Sequence, residues 1–463
     1  MGTVSIRLVQ ILIGLVLARV LLPDDFGAIA IVLVFTSILG VVVDAAVTQP
    51  IVQRRTEDLE TLSGAFRLAL VLGLVLFLAL VAAAEGVAWI YAHPDLGSLI
   101  KITGVLVLCE AAATVPKALL MQRLDFQSIA MADVAAVSLG GVTALALALI
   151  GVGVWSLAAQ QLVGATVRTG VMWRKADWRP SNHGSTIRTA GSFRSYAVPM
   201  IGAGFLNAVF SNLYSIVIGR AFGMGELGLY NRALVLQQLP ARSLTDAVGR
   251  VMFPHFASCR KDTMRLKAEV RESIQLLMVI VAPVCLGVAS IAETLVQVVL
   301  NDRWLGMVPL LWMLGVIGIT YPLHVVNLTL LRSLGHSDRF LRLELIKQAL
   351  TLGNIAVTWQ FGLSAMVFGQ MVVSLTAFWI NSTFSRQLIG YQRTAQLTDA
   401  APYILMASVM SGAVLGLESL PIVDPVKLPL MIASGIFTYW LMCRFFRPKG
   451  WENLKSLIRP TSR

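Results

Sequence analysis

Apolar stretches of about 20 residues recur along the whole chain, separated by short connections rich in Lys, Arg, Asp, Gly and Pro. Each is long enough to cross about 30 Å of hydrocarbon as a helix. Fourteen are read, at about 3–22, 26–48, 65–84, 98–117, 128–150, 153–172, 196–219, 229–253, 273–299, 306–330, 341–359, 362–385, 401–417 and 428–446. Those at 229–253 and 341–359 are the least apolar. No stretch alternates apolar and polar residues as barrel strands do. The pattern predicts an all-α polytopic membrane protein of about 14 transmembrane helices. Composition agrees: 57% of the 463 residues are hydrophobic and 13% charged, with mean hydropathy +0.76. Soluble domains carry about 25% charged residues.

One fragment occurs twice. Residues 17–31 read LARVLLPDDFGAIAI and residues 218–232 read IGRAFGMGELGLYNR. An offset of 201 positions matches Arg19 with Arg220, Asp25 with Glu226, and Gly27 with Gly228. Each copy is an apolar run ending in Arg, a turn with an acid and a Gly, and a new apolar run. A weaker echo relates 123–161 to 337–370, ending at Gln160 and Gln370. Repeated membrane halves are a transporter architecture, with a site between halves that rock. The expected organisation is two pseudo-symmetric six-helix lobes, 1–172 and 195–388, joined by a linker at 173–194. A C-terminal helix pair at 400–446 and a basic tail at 447–463 follow. An even number of spans per lobe gives both copies the same orientation.

Most of the 37 Lys and Arg fall on one side if both termini are cytoplasmic. Clusters at 54–55, 174–194, 260–271 and 444–463 carry this bias, with Lys117, Arg123, Arg332, Arg339, Arg342, Arg386 and Arg393. The net charge of +12 is then topology and contact with anionic lipid, not nucleic-acid binding. Cys109, Cys259, Cys285 and Cys443 are far apart and lack ligand spacing, so neither a disulfide nor a metal site is expected. The first apolar run lacks a small-residue cleavage site and is read as the first span.

Polar residues inside spans need a reason. Gln238, Arg242, Asp246 and Arg250 recur every four residues on one helix face, and Arg242 can pair with Asp246. Two readings stand: a cavity-lining basic stripe that takes a pyrophosphate through the planar Arg fork, or an interfacial helix whose arginines reach headgroups. Arg7 and Gln10 share a face of the first span, either facing a pyrophosphate or anchoring the helix. Asp44 in the second span is read as binding a coupling proton or cation, as neutralising a basic partner, or as a packing residue held by neighbours. Glu344 and Lys347 are expected to neutralise each other. Glu110, Asp133 and His324 have no partner legible in the sequence.

The chain contains no GxxxxGK[ST], GxSxG or HExxH. No catalytic residue and no cofactor is expected, and a membrane glycan polymerase would need a longer outer loop than any here.

The segments LARVLLPDDFG, VVDAAVTQPIVQR, GVGVWSLAAQQLVGATVRT, IGRAFGMGELGLYNRA, RVMFP and RWLGMVPLLWMLG together resemble the Wzx-like polysaccharide transporter family. It belongs to the multidrug/oligosaccharidyl-lipid/polysaccharide exporter superfamily. The resemblance implies a bacterial inner-membrane flippase. It would move an undecaprenyl-pyrophosphate-linked oligosaccharide repeat unit by alternating access, for O-antigen, capsule or exopolysaccharide synthesis. The implied partners are that lipid-linked substrate, membrane lipid and a polysaccharide polymerase, and one chain with both lobes could act as a monomer. A lipid II flippase and a small-molecule or cation antiporter are the alternatives within the superfamily.

Overall fold

The computed structural model describes residues 2–182, 185–421 and 423–458. Side chains 2–8, 238–240, 243, 244, 246, 247, 250, 457 and 458 lie outside the description. The described chain is helical throughout. In order it forms α1 (Gly2–Val20), α2 (Pro23–Arg54), α3 (Leu59–Tyr91), α4 (Asp95–Gln122), α5 (Phe126–Leu149), α6 (Val154–Ala176), α7 (Thr186–Ser211) and α8 (Leu213–Phe222). It continues with α9 (Met224–Ser258), α10 (Thr263–Ser290), α11 (Asp302–Ser333), α12 (Ser337–Thr358), α13 (Leu363–Ile389), α14 (Arg393–Glu418), α15 (Asp424–Phe446) and α16 (Lys449–Ile458).

Among the described residues, nine helices are long and apolar enough to cross a membrane, and a tenth forms if α7 and α8, bent by 44° at Asn212, count as one span. The expected fourteen apolar stretches all fall on helices, while α6, α9 and α12 are not among the nine. α3 shows what lipid-facing sequence looks like. Val71, Leu74, Val75 and Leu78 are exposed along one helical face, whereas Ala65, Ala69 and Leu80 are buried.

Local signals fix the helix ends. Asp58, Asp125, Asp262 and Ser185 each accept a hydrogen bond from the backbone N–H three residues on, capping α3, α5, α10 and α7. Hydrogen bonds from the Thr61 and Ser128 hydroxyls and backbones hold the Asp58 and Asp125 carboxyls below their ordinary range. Gly153 and Gly362, with φ of 64° and 91°, precede the second helix of each echo. A left-handed turn at the same point of both copies is what a repeat of structure, not only of composition, requires.

The chain divides into two compact units, Met1–Asn231 and Arg232–Arg463. In the first, α3 packs on α4, α4 on α6, α5 on α6 and α1 on α5, with α7 against α2 and α3. In the second, α10 packs on α11, α11 on α13 and α12 on α13. The same three neighbour relations thus occur in each unit. α14 packs along α10, and α15 along α14. The expected tail at 447–463 contains α16, whose Trp451 and Leu454 pack against the core of the second unit. The Gly450 N–H donates to the Tyr403 hydroxyl at 2.8 Å. α6 runs to Ala176 and α7 starts at Thr186, so only 177–185 connects them.

Proline inside a helix frees the carbonyl four residues earlier, and a freed carbonyl in an apolar bundle needs a donor. Pro283 in α10 frees Val279, and the Tyr439 hydroxyl of α15 donates to that carbonyl at 3.0 Å. The helix pair after the second lobe is thereby tied to the backbone of α10.

Candidate substrate cavity

Within the first unit, α2 is not a regular helix. Residues Asp44–Thr48 form a widened π turn in which the Gln49 N–H bonds to the Asp44 carbonyl. Pro50, one residue further on, cannot supply the N–H that a regular helix would offer to Ala46, and the wider turn accommodates its ring. Asp44 sits where this turn begins. Its carboxylate accepts from the Lys117 ammonium of α4 at 2.7 Å and from the Gln49 amide at 3.4 Å.

α4 has its own interruption. Pro116 frees the Ala112 carbonyl, and the Trp173 indole N–H of α6 donates to it at 2.9 Å. Trp173 is held in turn by Phe66 and Trp178, with ring centroids 5.3 and 5.6 Å away. Trp173→Phe keeps most of that packing and removes the donor. It is expected to cost roughly 1–3 kcal/mol through the unpaired carbonyl, read as a lower melting temperature of the purified protein with unchanged extraction.

α5 and α6 approach closely through small residues. A β-carbon on Gly140 would lie 2.6 Å from the Gln160 carbonyl, and one on Gly164 would lie 3.3 Å from the Ala136 carbonyl. Arg168 on α6 therefore reaches Asp133 on α5 at 2.9 Å and Glu110 on α4 at 3.6 Å. Glu110 and Lys117 are seven residues apart on one face of α4, so the two ion-pair groups lie along the same wall.

Between these helices is a cavity of about 550 Å³, wholly within the first unit. Gln10, Asp44, Gln49, Glu110, Lys117, Gln160, Gln161 and Arg168 supply its hydrogen-bonding wall. Its charged side chains are 33 to 43% exposed, so the pairs face open space rather than packed core. Among the described residues, the amides of Gln10, Gln160 and Gln161 make no hydrogen bond to protein.

These positions answer several expectations. Asp44 and Gln10 line the cavity. Glu110 and Asp133 do have a partner, Arg168, which the sequence reading passed over. A lone arginine deep in a span was the available signal, since it must meet an acid. Lys117 is inside α4 and paired, not in a connection as read. Glu344 and Lys347 form the expected pair at 2.8 Å.

In the second unit, Arg242 on α9 is exposed, with its guanidinium carbon 5.5 Å from the Tyr321 ring centroid. The side chains of Gln238, Asp246, Arg250 and Arg7 lie outside the described residues, so the Arg242–Asp246 pair and the phosphate-facing stripe are not described here. His324, for which the sequence offered no assignable partner, is a satisfied packing residue. The Asn381 amide nitrogen is 3.1 Å from its Nδ1, which places the ring proton on Nε2, 3.2 Å from the Ser374 hydroxyl.

The family model for "Polysaccharide biosynthesis protein" matches residues 16–309. The chain is similar to the succinoglycan biosynthesis transport protein ExoT of Rhizobium meliloti, 28% identical over 404 residues, 87% of this chain and 79% of that protein. It is similar to the lipopolysaccharide biosynthesis protein WzxC of Escherichia coli, 27% identical over 311 residues, 66% of this chain and 62% of that protein. Among solved structures, the lipid II flippase MurJ in an inward closed conformation aligns over 99% of both chains, with TM-score 0.77 and 12% identity. At that identity the likeness concerns the fold.

Proposed function

Because the chain belongs to the polysaccharide biosynthesis protein family, we propose that this multi-pass membrane protein flips a lipid-linked oligosaccharide across the bacterial inner membrane. The substrate carrier is undecaprenyl pyrophosphate, and the product feeds O-antigen, capsule or exopolysaccharide assembly. The observation that carries the reading is the cavity of ion pairs and carboxamides inside an apolar helical bundle. Such groups are costly in a membrane and are retained where they line a substrate path. The named relatives in succinoglycan and lipopolysaccharide synthesis support the substrate class.

In this reading the chain transports and performs no covalent chemistry. Its lobes, 1–172 and 195–388, alternate access while the polyprenyl tail stays in lipid. Both termini are cytoplasmic, a monomer suffices, and a polysaccharide polymerase receives the product. Arg242, Arg250 and Arg7 are assigned to the pyrophosphate by their chemistry, with Gln238 and Asp246 beside them, Gln10 to the glycan, and Asp44 to a coupling proton or cation. Arg242→Ala is expected to slow flipping about tenfold at normal membrane abundance. Undiminished flipping would remove Arg242 from the site.

The function itself is tested in a deletion strain by extracting polyprenyl-linked glycans. The expected result is accumulation of the complete repeat unit on the inner leaflet with loss of surface polymer. Unchanged glycans and unchanged polymer, in an expressing strain without a paralogue, would move the assignment to lipid II or a small molecule.

A further inference from the structure

We infer that the cavity of the first unit is a subsite for uncharged sugar residues and does not hold the pyrophosphate. The inference rests on the flippase reading and adds the class of headgroup this cavity accepts.

Charge decides against an anion. Of the described charged side chains that line it, Asp44 and Glu110 face Lys117 and Arg168, and Asp133, outside the lining, takes Arg168 as well, so no net positive charge is left for a ligand. Both cations already touch carboxylates, at 2.7 and 2.9 Å, and neither is free to neutralise a phosphate or a uronate. A further anion would lie beside the Asp44 and Glu110 carboxylates with no uncommitted cation among the described lining residues to meet it, a like-charge juxtaposition that disfavours it. A bound metal is equally ill served, since no group of three acids, His or Cys among the described residues could hold one.

The uncommitted groups favour hydroxyls. Each carboxamide offers an acceptor oxygen and two donor hydrogens, which can bridge neighbouring hydroxyls of a pyranose. Gln10 on α1 and Gln160 and Gln161 on α6 present three such groups around one space, with Ser37 and the Asp44-bound Gln49 of α2 beside them. A volume of about 550 Å³ lies within the range that encloses small ligands. Among the described residues no aromatic ring lines the cavity, so those residues would hold a sugar by hydrogen bonds alone. That suits a site which must release its occupant.

The test uses the full chain in two assays, with folding of each variant checked by melting temperature and gel-filtration profile. In proteoliposomes, flipping is measured for undecaprenyl-pyrophosphate-linked triglucose and for the same lipid with a terminal glucuronate. In detergent, binding is measured for a free neutral tetrasaccharide and a free tetragalacturonate. The expected result is preference for the neutral probe by about tenfold in flipping. Gln160→Leu/Gln161→Leu should lose roughly tenfold in both neutral-probe assays. Glu110→Gln/Asp133→Asn should narrow the discrimination. Equal flipping of the two headgroups, or a normal glutamine variant, would overturn the subsite and leave the flippase reading standing. Absence of flipping with glutamine-dependent binding of the neutral sugar would do the reverse. Absence of both flipping and neutral-sugar binding would overturn both.

Discussion

Gly27→Leu is expected to prevent recovery of folded protein, whereas Gly225→Ala, three residues before the matching glycine of the repeat, is expected to be silent. The reason lies in how the two copies of the repeated turn meet inside the first unit. A β-carbon on Gly27 would overlap the carbonyl of Met224, and one on Gly228 would overlap the carbonyl of Pro23. Each glycine of α2 and α9 is seated on the first turn of the other helix. The obstacle is backbone, held on one side by a proline, so a side chain cannot be accommodated by a rotamer change. Phe26, Ala28, Leu227 and Tyr230 are buried around the crossing and would be prised apart with it. A cost of about 3 kcal/mol or more is expected. Nothing lies within 4 Å of a β-carbon on Gly225, and alanine suits a helix better than glycine. The measurement is the yield and melting temperature of monodisperse protein for both variants. Wild-type values for Gly27→Leu would show that the two turns are not seated on one another.

The second large effect is expected from Asp399→Leu. Asp399 on α14 is 5% exposed. One of its oxygens accepts from the Arg271 Nε and Nη2 at 2.8 and 2.6 Å and from the Gln275 amide at 3.1 Å. The other accepts from the Tyr391 hydroxyl at 2.6 Å. A single carboxylate thus joins α10, α14 and the turn at residues 390–392. Removing it leaves the buried Tyr391 hydroxyl and Gln275 amide without their acceptor, and removing one partner of a buried pair costs roughly 3–5 kcal/mol. The half-exposed Arg271 recovers water, which places the effect at the lower end. Burial, and then the bond to Asp399, push the Tyr391 hydroxyl well above its ordinary range. Because that shift is upward, its contribution is complete below about pH 10 and is lost only at higher pH. The wild-type melting temperature should therefore hold from neutrality to about pH 10 as far as this tyrosine is concerned. Asp399→Asn should restore part of the loss. A leucine variant as stable as wild type would mean that α10 and α14 are held by their apolar contacts alone.

The helices were legible because membrane solubility forces long apolar runs, and the repeat was legible because Gly27 and Gly228 cannot be replaced where backbones cross. Contacts between distant segments were less so. Nothing local couples Arg271 to Asp399 across 128 positions. Glu110 and Asp133 were conspicuous as acids in apolar runs. Their pairing with Arg168 depends on α5 and α6 closing on glycine, which a charge pattern does not encode. Asp44 was singled out correctly as needing a reason. Its partner Lys117 was placed in a connection because the apolar run ends there, whereas the helix continues through Gln122. The π turn had a signal that was not used, Pro50 six residues after an acid.

That π turn also breaks the symmetry of the repeat. A π turn spends one residue more than a regular α turn within an otherwise continuous helix. α9, which carries the second copy of the repeat, runs from Met224 to Ser258 as uninterrupted α-helix. The two copies are therefore not interchangeable, because every residue of α2 beyond the turn is rotated by about 100° around the helix axis relative to a regular α-helix. Ile51, fully buried in the first unit, is one residue whose orientation depends on that turn.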